Sequence, residues 1–292
     1  MKIHLLGSGM PTASANRHGS SYVINVGNQY LMFDCGPATT NKLVKSGIRP
    51  TWVDHLVFTH HHYDHNVDYP CFLLTRWDET TAVNELRVFG PTLTEQLTHR
   101  LMDENVGAFA PDWIARINHP LSLNSYVKKG GVLPRQPPVT HARDIGPGSV
   151  VSGPNWSLSA APAVHVEPWL DSLAYRLDTE EGSVVVTGDT APCESVTELA
   201  RDVDTMISLC AFVQEDIDGT PEAQYMCGSR DVAKMAQEAG AKRLVLTHQH
   251  PRLDERGQSE RAVQDIGRHY EGEVVWGREM MVIDVGPDGC RT

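Results

Sequence analysis

Short apolar runs recur along the chain, and their lengths predict alternating strands and helices. The first part of the chain contains a predicted helix at Ala38 to Ser46 and four predicted strands: Lys2 to Leu6, Ser21 to Val26, Tyr30 to Phe33 and His55 to Phe58. After Trp156 the alternation resumes, with strands at Ser157 to Ala161, Leu173 to Leu177, Ser183 to Thr187, Thr205 to Leu209, Arg243 to Thr247, Val274 to Trp276 and Met281 to Val285. Helices are predicted between these strands at Cys193 to Ala200, Asp231 to Ala239 and Glu260 to Tyr270. This order predicts an α/β fold in which helices cover the sheets.

The middle of the chain is less strand-like. Helices are predicted at Asn66 to Trp77 and at Pro91 to Asn105, where Pro91 suits a first helical turn, and a strand is predicted at Glu85 to Phe89. From Asn124 to Pro154 the composition shifts toward Gly, Pro and Lys, which predicts a long irregular loop. We therefore expect one globular domain over residues 1–292, with a helical and irregular insertion at about 77–154 that forms a lid or an interface.

Composition limits the classes of substrate and location. The 25 Lys and Arg residues stand against 37 Asp and Glu, giving a formal net charge of -12. Such a surface repels polyanions unless basic residues are locally concentrated, which disfavours nucleic acid as a partner. No apolar run approaches the thickness of a bilayer and the start lacks the apolar region of a secretory signal, so we expect a cytoplasmic protein without membrane contact. The six cysteines include no close pair and are expected to be reduced thiols.

A dense group of potential metal ligands follows one predicted strand. His60, His62, Asp64 and His65 fall within six residues, directly after the apolar run that ends at Phe58. A loop that leaves a strand end can aim such side chains at one point, and imidazole together with carboxylate suits zinc-class ions. The motif therefore predicts a metal site.

Three further candidates also stand where an apolar strand stops, namely His165, Asp189 and His248. Ends of strands are where open α/β sheets collect their functional groups. The segments Leu56 to His62 and Leu244 to His250 share an apolar strand followed by Thr-His-x-His. This repeat leaves open whether His248 or His250 is the ligand.

In the order and context of these motifs the chain resembles the metallo-β-lactamase superfamily. The run Thr59-His60-x-His62-x-Asp64-His65 matches the signature of that superfamily, and the resemblance extends from Leu6-Gly7-Ser8-Gly9-Met10-Pro11 to Leu246-Thr247-His248. The opening motif and Asp189 are most similar to the ribonuclease Z and arylsulfatase-like branch, whereas zinc β-lactamases usually place Cys or Ser at the position of Asp189. The resemblance implies a four-layer αββα sandwich with its metal site at one edge, between the two sheets.

The resemblance also implies a dinuclear site that holds two Zn²⁺ ions, with Mn²⁺ or Fe as possible substitutes. By this resemblance His60, His62 and His165 would hold the first ion, Asp64, His65 and His248 the second, and Asp189 would bridge them.

Two ions of this kind can activate a water molecule as the nucleophile. We therefore expect a zinc-dependent hydrolase that cleaves a small ester: a phosphodiester, sulfate ester, lactone or carboxylic ester. Asp64 would orient the nucleophile as well as bind metal, and His250 would donate a proton to the leaving group. Asp34 would fix a ligand histidine through a hydrogen bond. A homodimer is also expected.

Two alternatives remain open. One is a ribonuclease Z endonuclease that removes tRNA 3′ trailers, although the segment between His165 and Asp189 is too short for the tRNA-binding arm that bacterial ribonuclease Z usually inserts there. The other is a non-hydrolytic metal-binding or iron redox protein of the same fold, because His and carboxylate ligands also accept iron. The candidates for substrate contact are Tyr126, Lys128, Lys129, Arg135, Trp169 and Tyr175.

Overall fold

Two β-sheets pack face to face in the computed structural model, which describes residues 1–286. The first sheet contains β1 (Lys2–Gly7), β2 (Ser21–Val26), β3 (Gln29–Phe33), β4 (Val53–Val57), β5 (Leu86–Gly90), β6 (Thr140–Asp144) and β14 (Val282–Asp284). Their order across the sheet is β14-β1-β2-β3-β4-β5-β6. Neighbours from β14 to β3 are antiparallel, and neighbours from β3 to β6 are parallel.

The second sheet repeats this mixed arrangement. It contains β7 (Val150–Ser152), β8 (Trp156–Pro162), β9 (Leu173–Thr179), β10 (Gly182–Val186), β11 (Thr205–Leu209), β12 (Arg243–Thr247) and β13 (Glu273–Trp276). Their order is β13-β12-β11-β10-β9-β8-β7, antiparallel from β7 to β10 and parallel from β10 to β13. Strands β4 and β12, which carry the repeated Thr-His-x-His, therefore occupy different sheets.

Helices connect the strands, and those that carry buried apolar residues cover the outer face of each sheet. The helices are α1 (Thr39–Lys45), α2 (Tyr63–Asn66), α3 (Tyr69–Asp78), α4 (Thr94–Met102), α5 (Ala110–Asn118), α6 (Pro120–Lys128), α7 (Glu194–Leu199), α8 (Gln214–Ile217), α9 (Ser229–Ala239) and α10 (Gln258–Ile266). Apolar residues of α1, α3, α4 and α5 pack on the first sheet, and those of α7, α9 and α10 pack on the second. The predicted four-layer αββα sandwich is confirmed.

Burial on both faces explains the continuous apolar runs of the sequence. Successive side chains of a strand point to opposite faces. In β2, Tyr22 and Ile24 enter the core between the sheets, whereas Val23 faces the helices. In β12, Val245 enters the core between the sheets, whereas Leu244 faces the helices on the other side. Strands of this kind need apolar residues at every position.

The structure corrects the predicted middle of the chain. The irregular loop predicted from Asn124 to Pro154 instead contains the end of α6 and two edge strands, β6 and β7. Most side chains of β6 and β7 are exposed or half-buried, so these strands show no apolar alternation. Helices α5 and α6 also lie in the segment 77–154 and were not predicted. That the segment forms a lid or an interface stays a prediction.

One predicted helix is divided. The segment Asn66 to Trp77 begins within α2 and continues as α3, with Asp68 at the junction. The Asp68 carboxylate accepts hydrogen bonds from the backbone N–H and the hydroxyl of Thr40, both at 2.6 Å, so the residue is held by α1 at the break.

The described residues include neither a membrane-spanning helix nor a disulfide. Within residues 1–286, no helix combines the length and the apolar character needed to cross a bilayer. Five cysteines are free thiols in this range: Cys35, Cys71, Cys193, Cys210 and Cys227. The sixth, Cys290, lies outside the described residues.

Candidate metal centre

Four strand ends from the two sheets converge on one place. The loop after β4 carries His60 to His65, and the ends of β8, β10 and β12 lead to His165, Asp189 and His248. The backbone N–H of Leu173 donates to the carbonyl of Thr59 at 2.9 Å, which joins the second sheet to the first at this edge.

Close backbone approach at this edge requires glycine at position 188. Gly188 has φ +60°, and a Cβ built on it would lie 2.7 Å from the Cβ of Thr59. A larger residue would push the loop that carries Asp189 away from the loop that carries the histidines, because the left-handed backbone and the short distance both exclude a side chain.

The first group of candidate ligands consists of three imidazoles. His60 Nε2 lies 3.0 Å from His62 Nδ1, and His165 Nε2 lies 3.3 Å from the same atom. His60 and His165 are buried and His62 is half-buried. Three ring nitrogens that converge so closely suit one zinc-class ion, which commonly takes three histidine ligands in catalytic sites.

The second group combines two imidazoles with a carboxylate. Asp64 Oδ2 lies 3.2 Å from His248 Nε2 and 3.5 Å from His65 Nε2. All three residues are buried. His248 has φ +54°, a conformation that is costly for a non-glycine residue and is concentrated at functional sites.

Asp189 lies between the two groups. Its Oδ2 is 3.1 Å from His248 Nε2 and 3.7 Å from His165 Nε2, and its Oδ1 is 3.6 Å from His65 Nε2. One carboxylate thus contacts imidazoles of both groups, which is the position that a bridging ligand occupies.

Unpaired buried atoms at this edge fit divalent cations. Asp64 Oδ1, Asp189 Oδ1 and His65 Nε2 are buried without a hydrogen-bond partner among the described residues. Buried carboxylates without compensation are strongly unfavourable, and buried charges in proteins are paired or coordinate metals. Cations at the two groups would satisfy these atoms, so the residues present fit a divalent metal site.

Hydrogen bonds behind the imidazoles set which nitrogen faces the centre. The carboxylate of Asp34 accepts from His65 Nδ1 at 2.7 Å, and the carbonyl of Tyr225 accepts from His165 Nδ1 at 3.0 Å. The hydroxyl of Thr59 donates to Asp34 at 2.9 Å and lies 3.1 Å from His60 Nδ1, which can donate to it. With the proton on Nδ1, each ring directs the lone pair of Nε2 inward, as a metal ligand requires.

The sequence therefore placed Asp34 correctly but missed two partners. The sequence identifies Thr59 only as part of the motif and does not predict that its hydroxyl joins Asp34 to His60. Tyr225 acts through its backbone carbonyl, which leaves no signal in a sequence.

Electrostatics at the centre favour cations. Burial raises the pKa of Asp189, but the facing imidazoles of His248 and His65 outweigh it and hold the pKa well below its usual range. Burial lowers the pKa of His65, but Asp34, Asp189 and Asp64 outweigh it and raise the pKa well above its usual value. Burial lowers the pKa of His60, and the neighbouring His65 adds to this shift. The carboxylates therefore hold positive charge at the centre.

His248 rather than His250 lies in the cluster. His250 stacks on Phe212, with ring centroids 5.0 Å apart, and its Nδ1 accepts from the backbone N–H of Arg252 at 3.1 Å. His61, the other additional histidine of the motif, lies with Nε2 2.9 Å from the hydroxyl of Thr94, and burial lowers its pKa to about 4.

The predicted substrate contacts separate by burial. Tyr126, Arg135 and Tyr175 are buried, and the hydroxyl of Tyr175 donates to the carbonyl of Phe58 at 2.8 Å inside the core. Tyr175 is therefore structural, contrary to the prediction, whereas contact of Tyr126 and Arg135 with a substrate stays a prediction. Lys128 and Lys129 are exposed, and Trp169 is 85% exposed.

The chain is similar in sequence to known proteins over most of its length. Residues 29–249 match the family described as the beta-lactamase superfamily domain. The chain is 29% identical to Ribonuclease Z of Mycobacterium avium over 98% of both chains, and 26% identical to Ribonuclease Z of Mycobacterium bovis over 98% of this chain and 99% of that one.

Solved structures share the whole architecture. The metallo-beta-lactamase fold protein YhfI from Bacillus subtilis superposes with a TM-score of 0.73 at 20% identity, covering 96% of this chain and 98% of the other. The short form of human tRNase Z superposes with a TM-score of 0.66 at 18% identity, covering 98% and 99%.

The chain belongs to the metallo-β-lactamase superfamily, because the family match spans most of its length and the two sheets have the corresponding fold. Within that superfamily, the relatives that it resembles over nearly their full length are ribonucleases Z, at 26 to 29% identity.

Proposed function

We propose that this chain is a metal-dependent endonuclease of the ribonuclease Z type, which cleaves a phosphodiester of tRNA precursors to remove the 3′ trailer. The observation that carries the proposal is the pair of candidate ligand groups joined by Asp189. The named relatives, matched over nearly their full length, favour RNA over the small ester expected from the sequence. The net charge of -12 disfavours RNA as a substrate, but it describes the whole surface and not the candidate site.

We assign His60, His62 and His165 to one ion, Asp64, His65 and His248 to the other, and Asp189 to both. Two Zn²⁺ ions are the proposed occupants, and ions bound in this way supply a nucleophile at neutral pH and polarise a phosphoryl oxygen. The hydrogen bonds from His65 to Asp34 and from His165 to Tyr225 keep the rings oriented.

Asp64 is the proposed proton acceptor. Its Oδ2 faces His248, whereas its Oδ1 is buried and has no partner among the described residues. Burial raises its pKa, but His65 and His248 outweigh this and lower it, so the carboxylate is ionised at neutral pH. The carboxylate oxygen of Asp64 that does not bind an ion can therefore accept a proton from the attacking water.

His250 is the proposed proton donor to the leaving oxygen. Its Nδ1 accepts from the N–H of Arg252, so the neutral ring carries its proton on Nε2. Burial lowers its pKa, and the nearby Arg252 adds to this shift, so the imidazolium that would donate is a stronger acid but the minor form at neutral pH. The sequence predicted a proton donor at His250, and we propose that the imidazolium donates from Nε2 to the departing 3′ oxygen.

A second candidate is a hydrolase of small phosphodiesters. Strands β9 and β10 are joined directly by Glu180 and Glu181, so no arm is inserted between His165 and Asp189. The net charge of -12 also disfavours a large polyanion.

One experiment separates the two candidates. The metal-loaded protein is incubated with a tRNA precursor carrying a 3′ trailer and, in parallel, with bis(p-nitrophenyl) phosphate. The proposal predicts a single cut at the 3′ end, RNA binding that weakens as salt rises, and loss of both activities in His62→Ala. Asp54→Asn is a control, because Asp54 is not a candidate ligand and accepts from the backbone N–H of Tyr30 at 3.1 Å. Hydrolysis of the small diester without RNA cleavage would favour the second candidate.

Zinc as the bound metal, a homodimer and a cytoplasmic location are further proposals. Metal analysis tests zinc against manganese and iron, and activity that follows the redox state would favour the iron redox alternative. Light scattering during size-exclusion chromatography tests the homodimer, and fractionation of cells tests the cytoplasmic location.

A further inference from the structure

Trp169 is the most exposed large apolar side chain among residues 1–286. Its exposed fraction is 85%, whereas Trp113 and Trp156 are 4% exposed. An indole can bury on the order of 150 to 250 Å² of surface, so leaving one in water forgoes a large stabilisation. A side chain of this kind on a structured loop indicates a surface that meets something else.

The loop that carries Trp169 is fixed to the candidate metal centre. The backbone N–H of Ala163 donates to the carbonyl of Ser172 at 2.9 Å, which closes the base of the loop. Inside it, the backbone N–H of Trp169 donates to the carbonyl of Val166 at 3.0 Å. His165, four residues before the indole, is one of the first group of ligands. The position of Trp169 is therefore set by the same segment that positions a metal ligand.

Two exposed tyrosines lie on segments that contain or contact a candidate ligand. Tyr63 is 56% exposed, stands between His62 and Asp64, and donates its hydroxyl to the carbonyl of Pro11 at 2.7 Å. Tyr225 is 45% exposed, and its carbonyl accepts from His165. Exposed aromatic rings thus occur on three separate segments that each contact or contain a ligand of the centre.

The acidic charge of the loop that carries Trp169 disfavours binding of phosphate groups. Residues 164–171 include the exposed Glu167 and Asp171 and contain neither Lys nor Arg. This segment would repel the phosphates of a nucleic acid, so affinity from it must come from an uncharged part of the ligand. Nucleobases stack on aromatic side chains without regard to sequence.

We propose that Trp169 forms a nucleobase subsite beside the metal centre, where it stacks on a base that flanks the scissile phosphodiester. The subsite rests on the proposed function, because it requires a polynucleotide substrate. Trp169 acts as a positioning residue: stacking holds the flanking nucleotide while the His and Asp cluster acts on the phosphate.

The test compares RNA substrates with an intact or an abasic nucleotide on each side of the cleavage site. Base–aromatic stacking corresponds to roughly a 5- to 150-fold effect. The wild-type protein is expected to prefer the intact substrate by a kcat/KM ratio in this range, for one of the two positions. Trp169→Ala is expected to remove the preference, Trp169→Phe to retain most of it, and Trp169→Leu to lose it because an aliphatic chain has no π face.

Two controls isolate stacking from structural damage. Metal content should be unchanged in Trp169→Ala, because Trp169 is not a candidate ligand. Trp52→Ala removes another exposed indole, 42% exposed and 5.8 Å from the ring of Tyr30, and should leave the preference for the intact base unchanged.

Each outcome decides the proposal. If the wild type cleaves RNA but Trp169→Ala keeps the full preference for the intact base, the subsite is wrong and the proposed function stands. If the metal-loaded wild type cleaves the small diester but not RNA, the proposed function fails and the subsite falls with it. If Trp169→Ala converts a dimer to a monomer and leaves RNA cleavage unaltered, the indole serves a second copy of the chain, which also overturns the subsite.

Discussion

Asp34 offers a direct test of how the protein orients a metal ligand. Its carboxylate accepts from His65 Nδ1 at 2.7 Å and from the backbone and hydroxyl of Thr59 at 2.8 and 2.9 Å. Asp34→Asn keeps the shape of the side chain but removes its charge. The amide can still accept from Thr59, but its NH₂ group then faces His65 and favours the tautomer with the proton on Nε2. That proton would point at the site of the ion.

The expected loss follows from the bond that is removed. A hydrogen bond to a charged group contributes about 1.5 to 3 kcal/mol, which corresponds to about a 10- to 150-fold change in affinity. Changes to residues that hold metal ligands typically cost about 10- to 100-fold. We therefore expect metal affinity to fall by about 10- to 100-fold in Asp34→Asn, with a parallel loss of hydrolysis at limiting metal.

The assay is competition for Zn²⁺ against a chromophoric chelator at neutral pH, combined with circular dichroism to verify folding. Asp54→Asn is the matched control, because Asp54 is an aspartate in strand β4 of the first sheet that accepts from the backbone N–H of Tyr30 and not from a candidate ligand. A folded Asp34→Asn protein with affinity within twofold of wild type would refute the role of Asp34 in orienting His65.

Three further outcomes follow from the same centre. Metal affinity should fall as pH decreases below the raised pKa of His65, because its imidazolium must lose a proton before it can bind an ion. Calorimetry in buffers of different ionisation enthalpy would detect the released proton. The metal-free protein should lose stability as pH rises above 6.5, because the raised pKa of His65 stabilises the folded state fully below the unfolded value of 6.5 and this stabilisation is lost as pH rises through the folded-state pKa. Urea unfolding at a series of pH values measures this, and a constant free energy of unfolding would contradict it. His250→Gln should retain full metal content but slow the cleavage of RNA more than that of p-nitrophenyl esters, because the p-nitrophenolate leaving group needs no proton. Equal loss of activity on both substrates would argue against a role of His250 as proton donor.

The sequence predicts those parts of the fold that are buried on both faces. Strands β2, β11 and β12 have the predicted bounds, because their apolar residues serve the core between the sheets and the helical layers together. Edge strand β6 was missed, because its polar residues need only pair with β5 at the margin of the sheet. Helices α5 and α6 were missed because each is short and has few buried residues.

The candidate site shows a similar division. Its seven predicted ligand residues converge, since each follows a strand whose end lies at the same edge of the sandwich. The sequence could not choose between His248 and His250, because the repeated Thr-His-x-His does not specify the backbone turn at φ +54° that directs His248 inward. It also could not exclude Tyr175 as a substrate contact, because the burial of that ring depends on how the two sheets pack.

The central claim is that seven side chains from both sheets hold two cations. A crystal structure of the zinc-loaded protein, with anomalous data collected on both sides of the zinc absorption edge, tests it directly. The account predicts two anomalous peaks about 3.5 to 4 Å apart, one beside His60, His62 and His165 and one beside Asp64, His65 and His248, with Asp189 in contact with both. Zinc peaks elsewhere, with none at this edge of the sandwich, would contradict it.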